Sequence, residues 1–174
     1  ATAALSKDIK TIVTQEKGLA QRGGSVKAHI RMGDVFSPTM PKRSAHGLLS
    51  LEISETLGYL DFVNQETVKA VSDTVIASGD QDVSENDIHQ KLKNLIGTKL
   101  MIVDARKRAI DLGVAKGVNI FMLGVLFGMD VRINELISSA DLEEAIRAVV
   151  RHQIEDNINI FRKGIEHGQK SESN

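Results

Sequence analysis

Leu100-Met101-Ile102-Val103-Asp104-Ala105-Arg106-Lys107-Arg108-Ala109-Ile110-Asp111-Leu112 decides the fold class. Its first four residues form an apolar run suited to a buried strand, and Asp104 to Leu112 reads as a short basic helix. Strand followed at once by helix is the unit from which parallel sheets are built. Downstream, Val114 to Met129 is apolar nearly all round and carries Gly117, Gly124 and Gly128. It predicts a buried helix closely approached by other backbone, from the sheet or from another subunit. Its length, with Lys116 and Asn119 inside it, argues against a membrane span. From Asp141, the positions Leu142, Ala145, Ile146, Val149, Val150, Ile154, Ile158 and Phe161 keep helical spacing toward an expected end near Gly164. Gln169 to Asn174 is a polar tail.

Upstream, Ser84 with Asp87 three residues on resembles a capping box ahead of the stripe Ile88, Leu92, Leu95 and Ile96. Thr67 to Ala77, rich in Val, Ile and Thr, predicts one or two strands, although Lys69, Ser72 and Asp73 interrupt its apolar run. Leu48 to Ile53 suits a buried strand, with a helical turn over Ser54 to Leu60. Asp34 to Gly47 holds both prolines, Pro38 and Pro41, with Lys42, Arg43 and His46, and reads as a loop. In Ser25 to Met32 the residues Val26, Ala28, Ile30 and Met32 alternate with Ser25, Lys27, His29 and Arg31, so the apolar set is expected to face the core. Ile9 to Thr14 is β-branched and predicts a strand, and Ala1 to Ile9 a short helical piece. Strands alternating with helices give an α/β domain: a mainly parallel open sheet flanked by helices in three layers, with a C-terminal helical portion. One domain is expected over residues 1–168, with 169–174 as the tail.

The chain has 174 residues, 41% of them hydrophobic and 26% charged, which is the composition of a folded domain. Its net charge of −1 offers no bulk attraction to nucleic acid or to anionic membrane. Cysteine is absent, excluding disulfides, thiolate nucleophiles and Cys-ligated zinc or iron–sulfur clusters in this polypeptide. No run of apolar residues is long enough for a membrane span and no secretory pattern opens the chain, so a cytoplasmic location is expected.

The most distinctive segment is Gly18-Leu19-Ala20-Gln21-Arg22-Gly23-Gly24-Ser25-Val26, between two strand candidates. Paired glycines let a backbone turn through positive φ and present N–H groups to an anion, and Arg22 can fork onto a carboxylate or phosphate. A plain Gly-Gly turn with a surface arginine accounts for the same residues. Glu16 and Glu52 each close a β-like segment, where side chains of an open α/β sheet line a crevice; either also suits a polar strand end. His29, His46, His89, His152 and His167 lack the close pairing of a helical zinc site, and no serine lies in a Gly-x-Ser-x-Gly context. Neither a catalytic residue nor a metal ligand is therefore assigned.

TQEKGLAQRGGSV, then FSP, LSLEISETLGYL, VDARKRAIDLG and VNIFMLGVL follow one another in an order that resembles the gamma-type subunit or domain of 2-oxoacid:acceptor oxidoreductases, on the indolepyruvate:ferredoxin oxidoreductase beta-subunit branch. The resemblance runs over about nine-tenths of the chain. It implies a non-autonomous subunit of a thiamine-diphosphate enzyme that oxidatively decarboxylates a 2-oxoacid, an aryl-pyruvate such as indolepyruvate, to an acyl-CoA and CO2 while reducing ferredoxin. Thiamine diphosphate, Mg and the iron–sulfur clusters are then expected on partner subunits, with coenzyme A as cosubstrate and no nucleic acid or membrane partner. The resemblance carries Glu16, Gln21, Arg22, Gly23 and Gly24 over as a loop facing the shared active site and coenzyme, with Glu52 and Asn119 less directly. The family opens with a strand, a Gly-rich turn and a helix, a unit of about 25 residues. Only a short stretch precedes the first strand here, so that unit, and phosphate binding at its turn, are expected to be missing. The rivals are a stand-alone small-molecule or nucleotide-binding module and a structural interaction protein whose Gly-Gly loop only turns the chain.

Overall fold

The computed structural model describes residues 1–17, 26–75, 99–129 and 131–170, together with Gln90, Leu92 and Asn94. Three parallel strands, β3 (Gly47–Ser50), β4 (Val68–Ser72) and β5 (Leu100–Val103), form a sheet in the order β3-β4-β5. Every residue of β4 is buried, as a central strand between two helical layers requires. Alternation sends Val68 and Ala70 to one face, where they meet Val103, Ala105, Phe121, Met122 and Val125. It sends Val71 to the other, against Ile53 and Leu92. The first core is covered by helices α3 (Ala105–Asp111) and α4 (Val118–Gly128), the second by α2 (Ile53–Thr56) and the 3-10 turn Leu57–Phe62. The three expected layers are therefore present, and the sheet is parallel.

Lys69, which breaks the apolar run in the sequence, lies in the middle of this strand with no exposed surface. Burial pushes its ammonium below the ordinary lysine range, nearby Lys99 adds to that, and Glu66 opposes it. Ile76, Ala77, Ser84, Asp87, Ile88, Leu95 and Ile96 lie outside the described residues.

The helical spacing read as one run from Asp141 is two helices, α5 (Ser139–Val149) and α6 (Ile154–Gln169). A capping box starts α5: Ser138 Oγ accepts from the Asp141 N–H, and the Asp141 carboxylate accepts from the Ser138 N–H. The chain leaves the helix at Val150, which is extended, and re-enters after Gln153, which has φ 52. Gly164 does not end α6, because it is the point where α6 crosses α4. A Cβ on Gly124 would stand 2.2 Å from the Phe161 carbonyl oxygen, and one on Gly164 2.2 Å from that of Phe121. Gly128 and Gly168 repeat the arrangement at 2.3 Å from the carbonyls of Ile165 and Val125. The glycine-bearing helix thus packs against the sheet through Phe121, Met122 and Val125, and its Gly124 and Gly128 meet the backbone of another helix of the same chain. Beneath α5 and α6, helix α1 (Thr2–Leu5) contributes Ala3 and Ala4 to a core with Ile137, Leu142, Ile146, Ile158 and Phe161. Lys7 pairs with Asp141 at 3.1 Å and ties the N-terminus to the start of α5.

Strands β1 (Thr11–Lys17) and β2 (Val26–Met32) stand apart from the sheet as an antiparallel ribbon in which Val13 faces Ile30, Gln15 faces Ala28 and Lys17 faces Val26. Here the sequence expectation is overturned. Val26 and Ile30 are 63% and 45% exposed, and Val13 across from them is 44% exposed. Met32 alone of the alternating apolar set packs onto the core beneath α5 and α6. The ribbon is rooted there, its outer apolar residues stay exposed, and the 3-10 turn shelters the opposite face.

Candidate functional site

The sheltered face of the ribbon gathers charge and aromatic rings. Glu16 stands across from Lys27 in register, with Nζ 2.5 Å from Oε2. The Lys27 hydrogen bond, helped by the charges of Lys27 and His29, holds the Glu16 carboxyl below its ordinary value against a smaller desolvation cost. Lys27 Nζ also lies 5.8 Å from the Tyr59 ring centre and 5.5 Å from that of Phe62, within cation–π range. The His29 ring meets Phe62 edge-on at 4.7 Å. Sequence reasoning passed over Lys27, His29, Tyr59 and Phe62 as a group. The available signal was the polar half of the alternation whose apolar half was assigned to the core. Glu16 itself belongs to this ribbon and not to the open sheet, which corrects its expected place in a sheet crevice.

The loop after β2 is held against the same region. Arg31 Nη1 donates to the carbonyl oxygens of Ser37 and of Thr39, the latter at 3.0 Å. The Arg43 and Ala45 N–H groups donate to the Asp61 and Phe62 carbonyls at 2.8 and 3.0 Å, and Lys42 pairs with the Asp61 carboxylate at 2.7 Å. Lys42 thus finds its acid within the chain. Phe36 is 80% exposed beneath Lys10 Nζ, 3.9 Å from the ring centre.

A second polar region lies at the carboxyl edge of the parallel sheet, where open α/β sheets bind ligands. Ser50 Oγ donates to the Glu52 carbonyl at 2.7 Å, Thr56 Oγ1 to Ser50 Oγ at 2.8 Å, and Ser54 Oγ to Glu52 Oε1 at 2.7 Å. Ser72 Oγ and Thr74 Oγ1 share a hydrogen bond of 2.9 Å, and the Ile53 N–H donates to the Thr74 carbonyl, joining the ends of β3 and β4. Glu52 therefore stands at the sheet edge its sequence position suggested. Among the described residues no group of three His, Asp or Glu side chains is placed to hold a metal ion.

A family model described as pyruvate ferredoxin/flavodoxin oxidoreductase matches residues 1–167. The chain belongs to that family. It is similar to the indolepyruvate oxidoreductase subunit IorB of Archaeoglobus fulgidus, 29% identical over 171 residues, covering 94% of this chain and 83% of the relative. The IorB subunit of Thermococcus kodakarensis is 28% identical over the same coverage. Among solved structures, pyruvate oxidoreductase subunit PORC from Thermotoga maritima shares the fold, with a TM-score of 0.64, 20% identity, and 95% of this chain and 84% of that one covered. In this member of the pyruvate ferredoxin/flavodoxin oxidoreductase family, the sites carried over by resemblance fall in three places. Glu16 is on the ribbon, Glu52 at the sheet edge, and Asn119 exposed on the first turn of α4. Gln21, Arg22, Gly23 and Gly24 lie outside the described residues, within the segment that joins the last ribbon pair, Lys17 and Val26.

Proposed function

We propose that this chain is a non-autonomous subunit of a thiamine-diphosphate-dependent 2-oxoacid:ferredoxin oxidoreductase, working in the cytoplasm on an aryl-pyruvate such as indolepyruvate. The observation that carries the reading is the family match over residues 1–167, with relatives that are themselves named as oxidoreductase subunits. The complex would convert the 2-oxoacid and coenzyme A to acyl-CoA and CO2 and pass two electrons through iron–sulfur clusters to ferredoxin. A chain without cysteine does not fit a thiolate-ligated cluster, so the clusters belong to partner subunits, and thiamine diphosphate with its Mg ion is assigned there too. Thiamine diphosphate supplies the carbanion stabilisation of the decarboxylation.

This chain's part is to complete the enclosure around that chemistry. Glu16, Gln21, Arg22, Gly23 and Gly24 are the positions proposed to face the shared active site and coenzyme A, with Glu52 and Asn119 as secondary positions. Arg22 would grip a partner carboxylate or a coenzyme phosphate by two parallel hydrogen bonds, a geometry that lysine cannot supply.

Co-expression with the thiamine- and cluster-bearing subunit tests the reading. A stable complex should form and reduce a viologen dye with 2-oxoacid and coenzyme A, and the isolated chain should not. Dye reduction by the isolated chain, or purification without any such partner from the native source, would instead favour a stand-alone binding module. Arg22→Lys should keep the fold and weaken assembly or coenzyme-dependent turnover by about 2 to 5 kcal/mol, the usual cost of impairing a charge-assisted contact at a desolvated interface.

A further inference from the structure

Four side chains meet on the sheltered face of the ribbon: Glu16 of β1, Lys27 of β2, and Tyr59 and Phe62 of the 3-10 turn. Glu16 and Lys27 stand directly opposite each other in the register, so the strand pairing itself brings carboxylate and ammonium together. The pair is unequal. The Lys27 side chain is 22% exposed and the Glu16 side chain 68%, so the base is the covered member and the acid is the one presented to the surroundings.

A lysine–carboxylate pair at a surface is ordinarily loose, because the four-carbon stem swings at little cost. Lys27 lacks that freedom. Its Nζ lies 5.8 Å from the Tyr59 ring centre and 5.5 Å from that of Phe62, so the rings confine the stem and attract the ammonium. The rings are held in turn: His29, on the same face of β2, meets Phe62 edge-on at 4.7 Å, and the Asp61 and Phe62 carbonyls accept from the Arg43 and Ala45 N–H groups. A chain of short contacts therefore runs from the loop backbone through the 3-10 turn and Lys27 to Oε2 of Glu16. The pair of Lys163 and Glu166 on α6, 2.9 Å apart, is a useful contrast, an exposed pair with no ring beside its lysine among the described residues.

We infer that Lys27 is a positioning residue: braced by Tyr59 and Phe62, it fixes the direction in which the Glu16 carboxylate is presented to the active site shared with the catalytic subunit. This rests on the function proposed above, in which Glu16 faces that site, and adds to it the residue that holds the acid there. The Lys27 hydrogen bond also keeps the Glu16 carboxyl below its ordinary value, so the group presented at neutral pH is an ionised acceptor. Its counterpart across the site is accordingly a hydrogen-bond donor, whereas phosphate oxygens would be repelled.

The test uses the full chain reconstituted with the purified thiamine- and cluster-bearing subunit, and reads viologen reduction with 2-oxoacid and coenzyme A as kcat/KM against pH. Lys27→Met should lower kcat/KM at least about tenfold, the scale of a small misplacement at a reacting centre. It should also move the acid limb of the profile to higher pH, because Glu16 loses the hydrogen bond that draws its carboxyl down. Lys27→Arg, which can still pair with the acid and lie against the rings, should stay within about threefold of the parent. Lys163→Met should change neither rate nor profile, and all three variants should melt with the parent. In a Glu16→Gln chain, adding Lys27→Met should alter kcat/KM by less than about twofold, because no carboxylate is left to position. An unmoved acid limb, or a Lys27→Met effect of equal size with and without the Glu16 carboxylate, overturns this inference and leaves the proposed function standing. A loss as large in Lys27→Arg as in Lys27→Met overturns it in favour of the ammonium acting on the reactants directly. A parent chain that yields no active complex overturns both the inference and the function on which it rests.

Discussion

Gly164→Ala should cost this protein a large part of its stability, although alanine is the better helix former. In the α4–α6 crossing the new Cβ would stand 2.2 Å from the Phe121 carbonyl oxygen and 3.0 Å from both the Gly124 Cα and the Val125 nitrogen. All three are backbone atoms and cannot rotate away. Restoring an ordinary contact moves the helices apart by about 1 Å, and a gap of that size forfeits a quarter to a half of the dispersion energy of the contacts it opens. Those include Phe121, Val125, Ile160 and Phe161, all essentially buried. Overpacking of this kind costs about 1 to 3 kcal/mol, and more when rigid backbone is the obstacle, against about 1 kcal/mol gained in helix propensity. A net loss of about 2 to 3 kcal/mol is expected, a substantial fraction of the 5 to 15 kcal/mol typical of a whole domain. Denaturant midpoints followed by circular dichroism measure it. Gly58→Ala is the control, because a Cβ there meets nothing within 4 Å and φ is not positive, so stability should hold or rise slightly. If Gly164→Ala matches or exceeds the parent, the two helices do not approach by their glycines and the account of the C-terminal half fails.

Three further outcomes are expected. Adding Gly124→Ala to Gly164→Ala should cost less than the two single losses combined, because the first substitution has already separated the helices that the second would separate; a cycle of denaturation curves reads this coupling. Asp141 has its carboxyl drawn down to about 2 by hydrogen bonds from the Ser138 backbone and hydroxyl and by Lys7. Its folded-state value lies below the unfolded one, so its stabilisation is complete above pH 4 or so and is lost as the pH falls toward 2; the melting temperature of Asp141→Asn should lack that component of the acid decline. Lys69→Met removes a buried ammonium whose pKa is lowered, and a lowered base favours the folded state more as the pH rises through its folded value toward the unfolded one near 10.4. The stability advantage of Lys69→Met over the parent should therefore shrink between neutral pH and pH 10, and an advantage that stays constant across that range would refute the sign.

The layered core was readable because its strands are short apolar runs that need no particular neighbour to be recognised. Leu100 to Val103 and Leu48 to Ser50 are half-buried or buried at every position, so composition alone identifies them. The ribbon was misread for a physical reason: alternation states which residues share a face, and Val26, Ala28 and Ile30 do share one. It does not state whether the domain has anything to lay against that face. Lys69 was read as an interruption because a lysine's pattern value is polar wherever it sits, and its burial depends on the layers above and below. Gly164 was taken as a helix end because glycine serves both as a terminator and as a crossing point, and only its partner helix tells the two apart. Glu16 and Glu52 stand out in the sequence as acids that close β-like segments, whereas the rings opposite Lys27 come from a separate element more than 30 residues on and leave no local pattern.

Tyr59 is the chain's one tyrosine, and there is no tryptophan. Because it lies beside Lys27 on the sheltered side of the ribbon, the tyrosine emission, excited beyond the absorption band of the five phenylalanines, originates at a single point next to the ribbon. Any event that shifts the ribbon against the 3-10 turn will register in that emission without a label, and unfolding of the distant α4–α6 crossing will register only if the two regions come apart together. Comparing the fluorescence and circular dichroism transitions of one sample thus separates loosening of the ribbon from melting of the body.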